Sequence, residues 1–157
     1  MGHNVSQKTI PLNIAVLTVS DTRNESNDTS GQLLVDRLKE GGHNLSDKKI
    51  VIDDIYKIRA NLSQWISDDK THVVLITGGT GFTSRDSTPE AVTPLLDKIV
   101  DGFGELFRQI SLDQIGTSTI QSRALAGMAN KTLIFCLPGS TNACRTAWDE
   151  IISSQID

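Results

Sequence analysis

The chain has 157 residues, 38% hydrophobic and 22% charged, with a formal net charge of -4. That length suits one compact domain with a real core, and an acidic balance without clustered Lys or Arg excludes a nucleic-acid-binding surface. No apolar run approaches a membrane span, and "MGHNVSQKTIPLN" lacks the apolar segment of a signal peptide, so no membrane partner is expected and the expected compartment is the cytoplasm.

Residues 1–11 are expected to form a flexible N-terminal segment, with 12–157 as a single α/β domain. Met1-Gly2 followed by Asn4-Val5-Ser6 meets the myristoylation pattern only weakly and reads as an ordinary start. "LNIAVLTV" (Leu12 to Val19) is short, apolar and rich in branched residues, the pattern of a strand buried on both faces. A polar loop then leads to "QLLVDRLKEGG", where Leu33, Leu34 and Leu38 form a helical stripe closed by Gly41-Gly42. Leu45 to Asp53 is a second strand candidate. It is followed by a helix with Ile55, Ile58, Leu62, Trp65 and Ile66 on one face.

"HVVLIT" is the third strand, and Gly78-Gly79-Thr80-Gly81 follows it directly. Thr88-Pro89-Glu90-Ala91 reads as a helix start, with Thr88 as N-cap and Pro89 in the first turn. Pro94 predicts either a later helix start near Thr93-Pro94 or a kink. "GFGELFRQIS" and "STIQSRALAGMA" read as two further helices, "KTLIFCL" as the fourth strand, and "PGSTNACRTAWDEII" as a closing helix with Cys144, Trp148, Ile151 and Ile152 inward. Strands and helices in alternation predict a doubly wound α/β fold, a mostly parallel sheet with helices on both faces.

Such sheets bind ligands at the carboxyl ends of their strands. Here those ends deliver Ser20-Asp21, Asp53-Asp54, Thr77 to Gly81, and Pro138-Gly139-Ser140-Thr141. Small residues after a strand let backbone N–H groups turn toward an anion, and a following helix start adds its positive end, so the glycine loop points to phosphate; the alternative is a tight turn without a ligand. A P-loop would need a lysine after Gly81 and a dinucleotide fingerprint a third glycine at Ser84, and neither is present.

Asp86 is either a helix cap or, with Asp53 or Asp54, a ligand for a hard divalent cation beside phosphates. Arg85 and Lys131 are candidate phosphate contacts, though isolated basic side chains are usually solvated; "STIQSR" reads as a polar helix face and Glu105 as a further capping acid. Cys136 and Cys144 are expected to be buried and reduced, and His3, His43 and His72 lack the spacing of a metal site. No Ser/His/Asp or Cys/His set offers a covalent nucleophile.

"LITGGTG", "DSTPEA" (Asp86 to Ala91), "GFGELFR" (Gly102 to Arg108), "LPGST" (Leu137 to Thr141) and the run "IGTSTIQSRALAGMANKTLIFCLPGSTNACRTAW" together resemble the molybdopterin-binding family of molybdenum cofactor biosynthesis, in its B-type branch. The resemblance runs from Ile14 onward. It implies a doubly wound domain assembled as a homotrimer or as a hexamer of two trimers, with molybdopterin and ATP as ligands, magnesium accompanying the nucleotide, and other molybdenum-cofactor biosynthesis proteins as further partners. The implied reaction transfers AMP from Mg-ATP to the terminal phosphate of molybdopterin and releases pyrophosphate.

By position, the resemblance makes Asp86 the catalytic acid and Asp53 a second acid supporting nucleotide and magnesium. Thr77, Gly78, Gly79, Thr80 and Gly81 become the phosphate cradle, and Ser20, Asp21, Pro138, Gly139 and Ser140 edges of the same pocket. Adenylyltransferase members usually carry Pro-Asp-Glu where this chain has Ile52-Asp53-Asp54. A non-catalytic molybdopterin-binding or scaffold protein of the same pathway, and a generic nucleotide-binding module, stand as alternatives.

Overall fold

A computed structural model describes residues 10–156. His3, the myristoylation pattern and most of the expected N-terminal segment lie outside the described residues. The six strands are β1 (Asn13–Val19), β2 (Asn44–Val51), β3 (Val73–Thr77), β4 (Lys98–Ile99), β5 (Leu125–Ala129) and β6 (Thr132–Leu137). The helices are α1 (Thr29–Glu40), α2 (Ile55–Ser67), α3 (Thr88–Val92), α4 (Asp101–Ile115), α5 (Thr141–Ala147) and α6 (Ser153–Gln155). A π-helical turn at Trp148–Ile152 joins the last two.

One sheet runs in the order β2-β1-β3-β6-β5-β4. β2, β1, β3 and β6 are parallel neighbours, while β5 runs antiparallel to both β6 and the edge strand β4. The fold is therefore the expected α/β class with a mixed sheet.

Alternation along the central strands builds two cores. Ile14 and Val16 of β1 and Val73 and Leu75 of β3 face α1, α4 and α5, packing with Leu34, Leu38, Phe107 and Trp148. Ala15, Leu17 and Val19, with Val74 and Ile76, face the opposite side, meeting Ile58, Leu62 and Trp65 of α2 and Ala91 and Val92 of α3. A strand with apolar residues at every position must be covered on both faces, so the continuous runs read from the sequence dictate these two helix layers.

The sheet differs from the sequence reading at its edge. "STIQSRALAGMA" is no helix: Gly116–Gln121 is a 3-10 turn and Leu125–Ala129 is β5. Ala, Leu and Met favour helix, but Ala126 and Ala129 are fully buried and the backbone is claimed by pairing with β6. β4, only two residues long, also escaped notice. Thr88 is the first helical residue of α3 rather than its cap, and Ser87 precedes it. Neither expectation for Pro94 holds, because α3 ends at Val92 and Thr93–Leu95 forms a 3-10 turn leading to β4. Glu105 lies beyond the first turn of α4, whose early acid is Asp101. Cys136 and Cys144 are buried free thiols.

Candidate active site

After β1 the chain turns to the α1 side of the sheet, whereas after β3 it turns to the α3 side. The loops part at adjacent strand ends, which opens the crevice where open α/β sheets hold ligands. The glycine loop lies there. Gly78 and Gly79 have φ of 105° and 69°, values that L side chains rarely adopt. A Cβ on Gly78 would stand 2.1 Å from the Val19 carbonyl oxygen, so this backbone can pass only as glycine.

The loop is held by neighbours on every side. The Gly78 N–H donates to the Leu137 carbonyl (2.9 Å). The Thr88 N–H donates to the Gly79 carbonyl (3.0 Å), and Thr88 Oγ1 to that of Gly78 (2.8 Å). Arg123, just before β5, donates from Nε to the Gly81 carbonyl and from Nη2 to the Asp86 carbonyl, each at 2.8 Å, and its guanidinium also pairs with Glu90. Held from its carbonyl side, the loop leaves the N–H groups of Gly79, Thr80 and Gly81 without a protein acceptor among the described residues. Gly79 and Gly81 are half-buried, so their N–H groups can meet an anion, whereas Thr80 is buried. The five-residue α3 is too short to add much of a dipole, so an anion here would depend on the loop backbone.

Asp53 and Asp86 flank this loop. A Cβ on Gly79 would lie 2.9 Å from Asp53 Oδ2, and one on Gly81 would lie 2.6 Å from Asp86 Oδ2. Asp53 Oδ1 accepts from the N–H and hydroxyl of Ser87, the residue after Asp86, which ties the two acids together. Asp86 does not cap α3. Its Oδ2 folds back onto Thr83 N–H (3.0 Å) and Oγ1 (2.7 Å), bracing the turn before the helix. Asp54 is the capping acid instead, with Oδ1 accepting from Tyr56 and Lys57 N–H at the start of α2. The acidic pair thus divides into one cap and one side chain directed at the loop.

Asp21 links this cluster to the loop after β1. Its Oδ1 accepts the Asp53 N–H (3.0 Å), and its Oδ2 accepts Arg85 Nε (3.1 Å) and Nη2 (2.8 Å). The Arg85 guanidinium, with help from the Asp53 N–H, holds the Asp21 carboxyl below its ordinary value.

Ser20 has a local task, since its Oγ accepts from Thr22 and Arg23 N–H. Thr77 donates to the Pro138 carbonyl (2.8 Å), joining the ends of β3 and β6. A Cβ on Gly139 would touch Gly78 Cα at 3.4 Å, so the two loops are in contact, and Ser140 caps α5 by accepting the Ala143 N–H. Burial pushes the nearby Cys144 thiol up to about 11, which leaves it a poor nucleophile.

Lys131 is not at this end of the molecule. With Asn130 it forms the turn between β5 and β6, at the amino end of β6, opposite the glycine loop. Arg123, read from sequence as part of a polar helix face, is the residue that was missed. Its only signal was position: if "LAGMA" is an antiparallel strand, its first residues fall at the carboxyl ends of the parallel ones. Two surface hollows, of about 360 Å³ beside Asp47, Trp65 and Asp68 and about 260 Å³ along α1, do not include the loop. Among the described residues no helix is long and apolar enough to cross a membrane.

The family described as a probable molybdopterin binding domain matches residues 15–157. Molybdenum cofactor biosynthesis protein B of Escherichia coli (strain K12) is 59% identical over 153 residues, covering 98% of this chain and 90% of the relative. A crystal structure of a molybdenum cofactor biosynthesis protein B superposes with a TM-score of 0.92 at 44% identity, over 96% of this chain and 94% of that one. The tungsten cofactor synthesizing protein MoaB from Pyrococcus furiosus superposes with a TM-score of 0.85 at 38% identity, covering 93% and 92% of the two chains. With the glycine loop at the switch point and these matches along nearly its whole length, the chain belongs to the molybdopterin-binding family of molybdenum cofactor biosynthesis.

Proposed function

We propose that the chain binds molybdopterin and transfers AMP from ATP to its terminal phosphate. The observation that carries this reading is the flanking of the glycine loop by Asp53 and Asp86. Each carboxylate keeps one oxygen, Asp53 Oδ2 and Asp86 Oδ1, that accepts no hydrogen bond among the described residues. Such a donor set suits magnesium, which takes one or two carboxylates and completes its shell with phosphate oxygens and water. Asp53 and Asp86 would hold the ion, which when bound would supply charge neutralisation on the phosphates.

In the proposed step an oxygen of the terminal phosphate of molybdopterin attacks the α-phosphorus of ATP. A new P–O bond forms, the bond to the bridging α–β oxygen breaks, and pyrophosphate leaves with the electron pair. The protein's part is positioning: the free loop N–H groups hold phosphate oxygens, and Arg123 keeps the loop from collapsing. Purified protein with molybdopterin, ATP and magnesium should yield adenylylated pterin on chromatography. Asp86→Asn should lower turnover by about 100-fold or more while pterin binding persists. Unchanged turnover in that variant would sink the assignment.

One observation favours the second reading, a non-catalytic pterin-binding protein. Ser87 donates twice to Asp53 Oδ1, giving Asp53 a structural task independent of any nucleotide. That reading predicts bound pterin and no ATP-dependent product. Self-association as a trimer or paired trimers is part of the proposal, supported by exposed Leu106, Leu112, Ile115 and Ile120 along α4 and the turn after it. Light scattering in solution gives the subunit count, and a monomer would remove it.

A further inference from the structure

The crevice has a charge problem. Asp21, Asp53, Asp54 and Asp86 all stand at these strand ends, and a phosphate ligand brings more negative charge. Beside the proposed magnesium, a loop without the P-loop lysine needs a side-chain cation from elsewhere. Arg123 is committed, because its guanidinium donates to two carbonyls and a carboxylate that hold the loop. Arg85 differs in each respect. It sits one residue from Asp86, its side chain is 66% exposed, and its hydrogen bonds go to Asp21, itself 40% exposed.

The geometry of that pair is poor for a guanidinium. Two parallel N–H groups match two oxygens of a carboxylate or phosphate. In this pair Nε and Nη2 both reach Oδ2, while Oδ1 accepts the Asp53 N–H instead. An exposed, screened ion pair contributes little by itself, and one with both donors on a single oxygen contributes less. A phosphate entering the crevice would offer Arg85 the second acceptor that Asp21 withholds.

We propose that Arg85 is the phosphate-binding cation of this site, and that its pairing with Asp21 is a resting latch exchanged for ligand phosphate. This rests on the phosphate-site reading above and assigns to it a residue and a switch. Between ligands, Asp21 holds the guanidinium near Asp53 and Asp54. When phosphate binds, Arg85 moves to it, while Asp21 keeps the Asp53 loop in place through Oδ1. Asp21 is thereby a positioning residue and a competitor for the cation at once.

The test is calorimetric titration of the full-length protein with inorganic pyrophosphate in the presence of magnesium, comparing R85A, D21N and the double variant. Asn at position 21 keeps an Oδ1 acceptor for the Asp53 N–H, so the loop retains its tie. R85A should weaken binding about 10- to 100-fold, as for loss of a charge-assisted hydrogen bond. D21N should tighten it several-fold, and adding D21N to R85A should change nothing, the coupling expected of competitors for one cation. Unchanged affinity in R85A would overturn the proposal, as would a weakening by D21N that persists in the double variant, which would mark Asp21 as purely structural. Those results leave the adenylyltransferase reading intact. Failure of the unaltered protein to bind pyrophosphate overturns the latch, and only if adenylylated pterin is also absent does it remove the reading beneath.

Discussion

The parallel part of the sheet and its antiparallel edge contribute to one crevice in opposite ways. β1, β2, β3 and β6 end there, and their trailing loops bring Asp21, Asp53, the glycine loop and Pro138 to Ser140. β5 begins there, and Arg123 just before it turns its charge inward onto loop carbonyls and Glu90. The groups left for a ligand come from the parallel strands, beside frame residues such as Asp54, Thr77 and Ser140, whereas Arg123 is spent wholly on the frame. The two arginines express the same division: Arg123 holds the loop from behind, while Arg85 sits exposed on a single carboxylate oxygen.

The largest effect should come from forcing a side chain into the parallel half. Gly78→Ala places a Cβ 2.1 Å from the Val19 carbonyl in a backbone that already excludes side chains. A loss of about 3 kcal/mol of stability in denaturant unfolding is expected, from steric overlap added to left-handed strain. A loss below about 1 kcal/mol would mean the strand ends are softer than the close approach implies. Next comes Arg123→Ala, which leaves the Gly81 and Asp86 carbonyls without their donor. About 2 kcal/mol is expected from those bonds, and Arg123→Lys should not restore it because one ammonium cannot span both carbonyls. Full rescue by lysine would break the contrast between the arginines.

The same contrast explains how much the sequence revealed. The central parallel strands β1, β3 and β6 were legible because burial on both faces leaves a continuous apolar run, as in "NIAVLTV" and "TLIFCL". Their ends were legible too, since the chain order alone sends them to one side. β5 was not: "LAGMA" has helix-favouring residues, and its strand identity comes from β6 and from the I′-type turn at Asn130 and Lys131. Without β5, Arg123 had no assigned end of the sheet, so a frame residue looked like a surface one. That Asp54 caps α2 while Asp53 turns to the loop is likewise a matter of backbone geometry, which two adjacent acids in a sequence do not express.

Asp28, like Asp54, is an acid of the parallel half that belongs to the frame. It caps α1, its side chain is 2% exposed, and it accepts from Lys48 Nζ, Thr18 Oγ1 and the Gly31 N–H. Burial alone would raise its carboxyl, but Lys48, Thr18 and Gly31 together outweigh that and hold it below its ordinary value. A carboxyl lowered on folding contributes stability above its unfolded value, near about 4, and loses it as pH falls through the folded one. Asp28→Asn should therefore cost about 1–2 kcal/mol at neutral pH and flatten the acid side of the stability profile below about pH 4. Denaturant unfolding measured between neutral and acidic pH reads both, and an unaltered slope would place the acid sensitivity elsewhere.

The smallest effect belongs to the end of the molecule remote from the crevice. Lys131 holds φ of 67° beside Asn130 at 46°, a two-residue turn in which both positions are left-handed. Asparagine tolerates that conformation and lysine does so at a cost, whereas glycine at the second position is the favoured partner in such turns. Lys131→Gly should accordingly raise stability by about 0.5 kcal/mol, with some of the gain offset by the added freedom of the unfolded chain. Because the turn lies at the amino end of β6, pyrophosphate affinity and any adenylyl transfer should not change with it. A weakened affinity would bring this turn to the phosphates after all, and the division of labour between the two ends of the sheet would have to be redrawn around it.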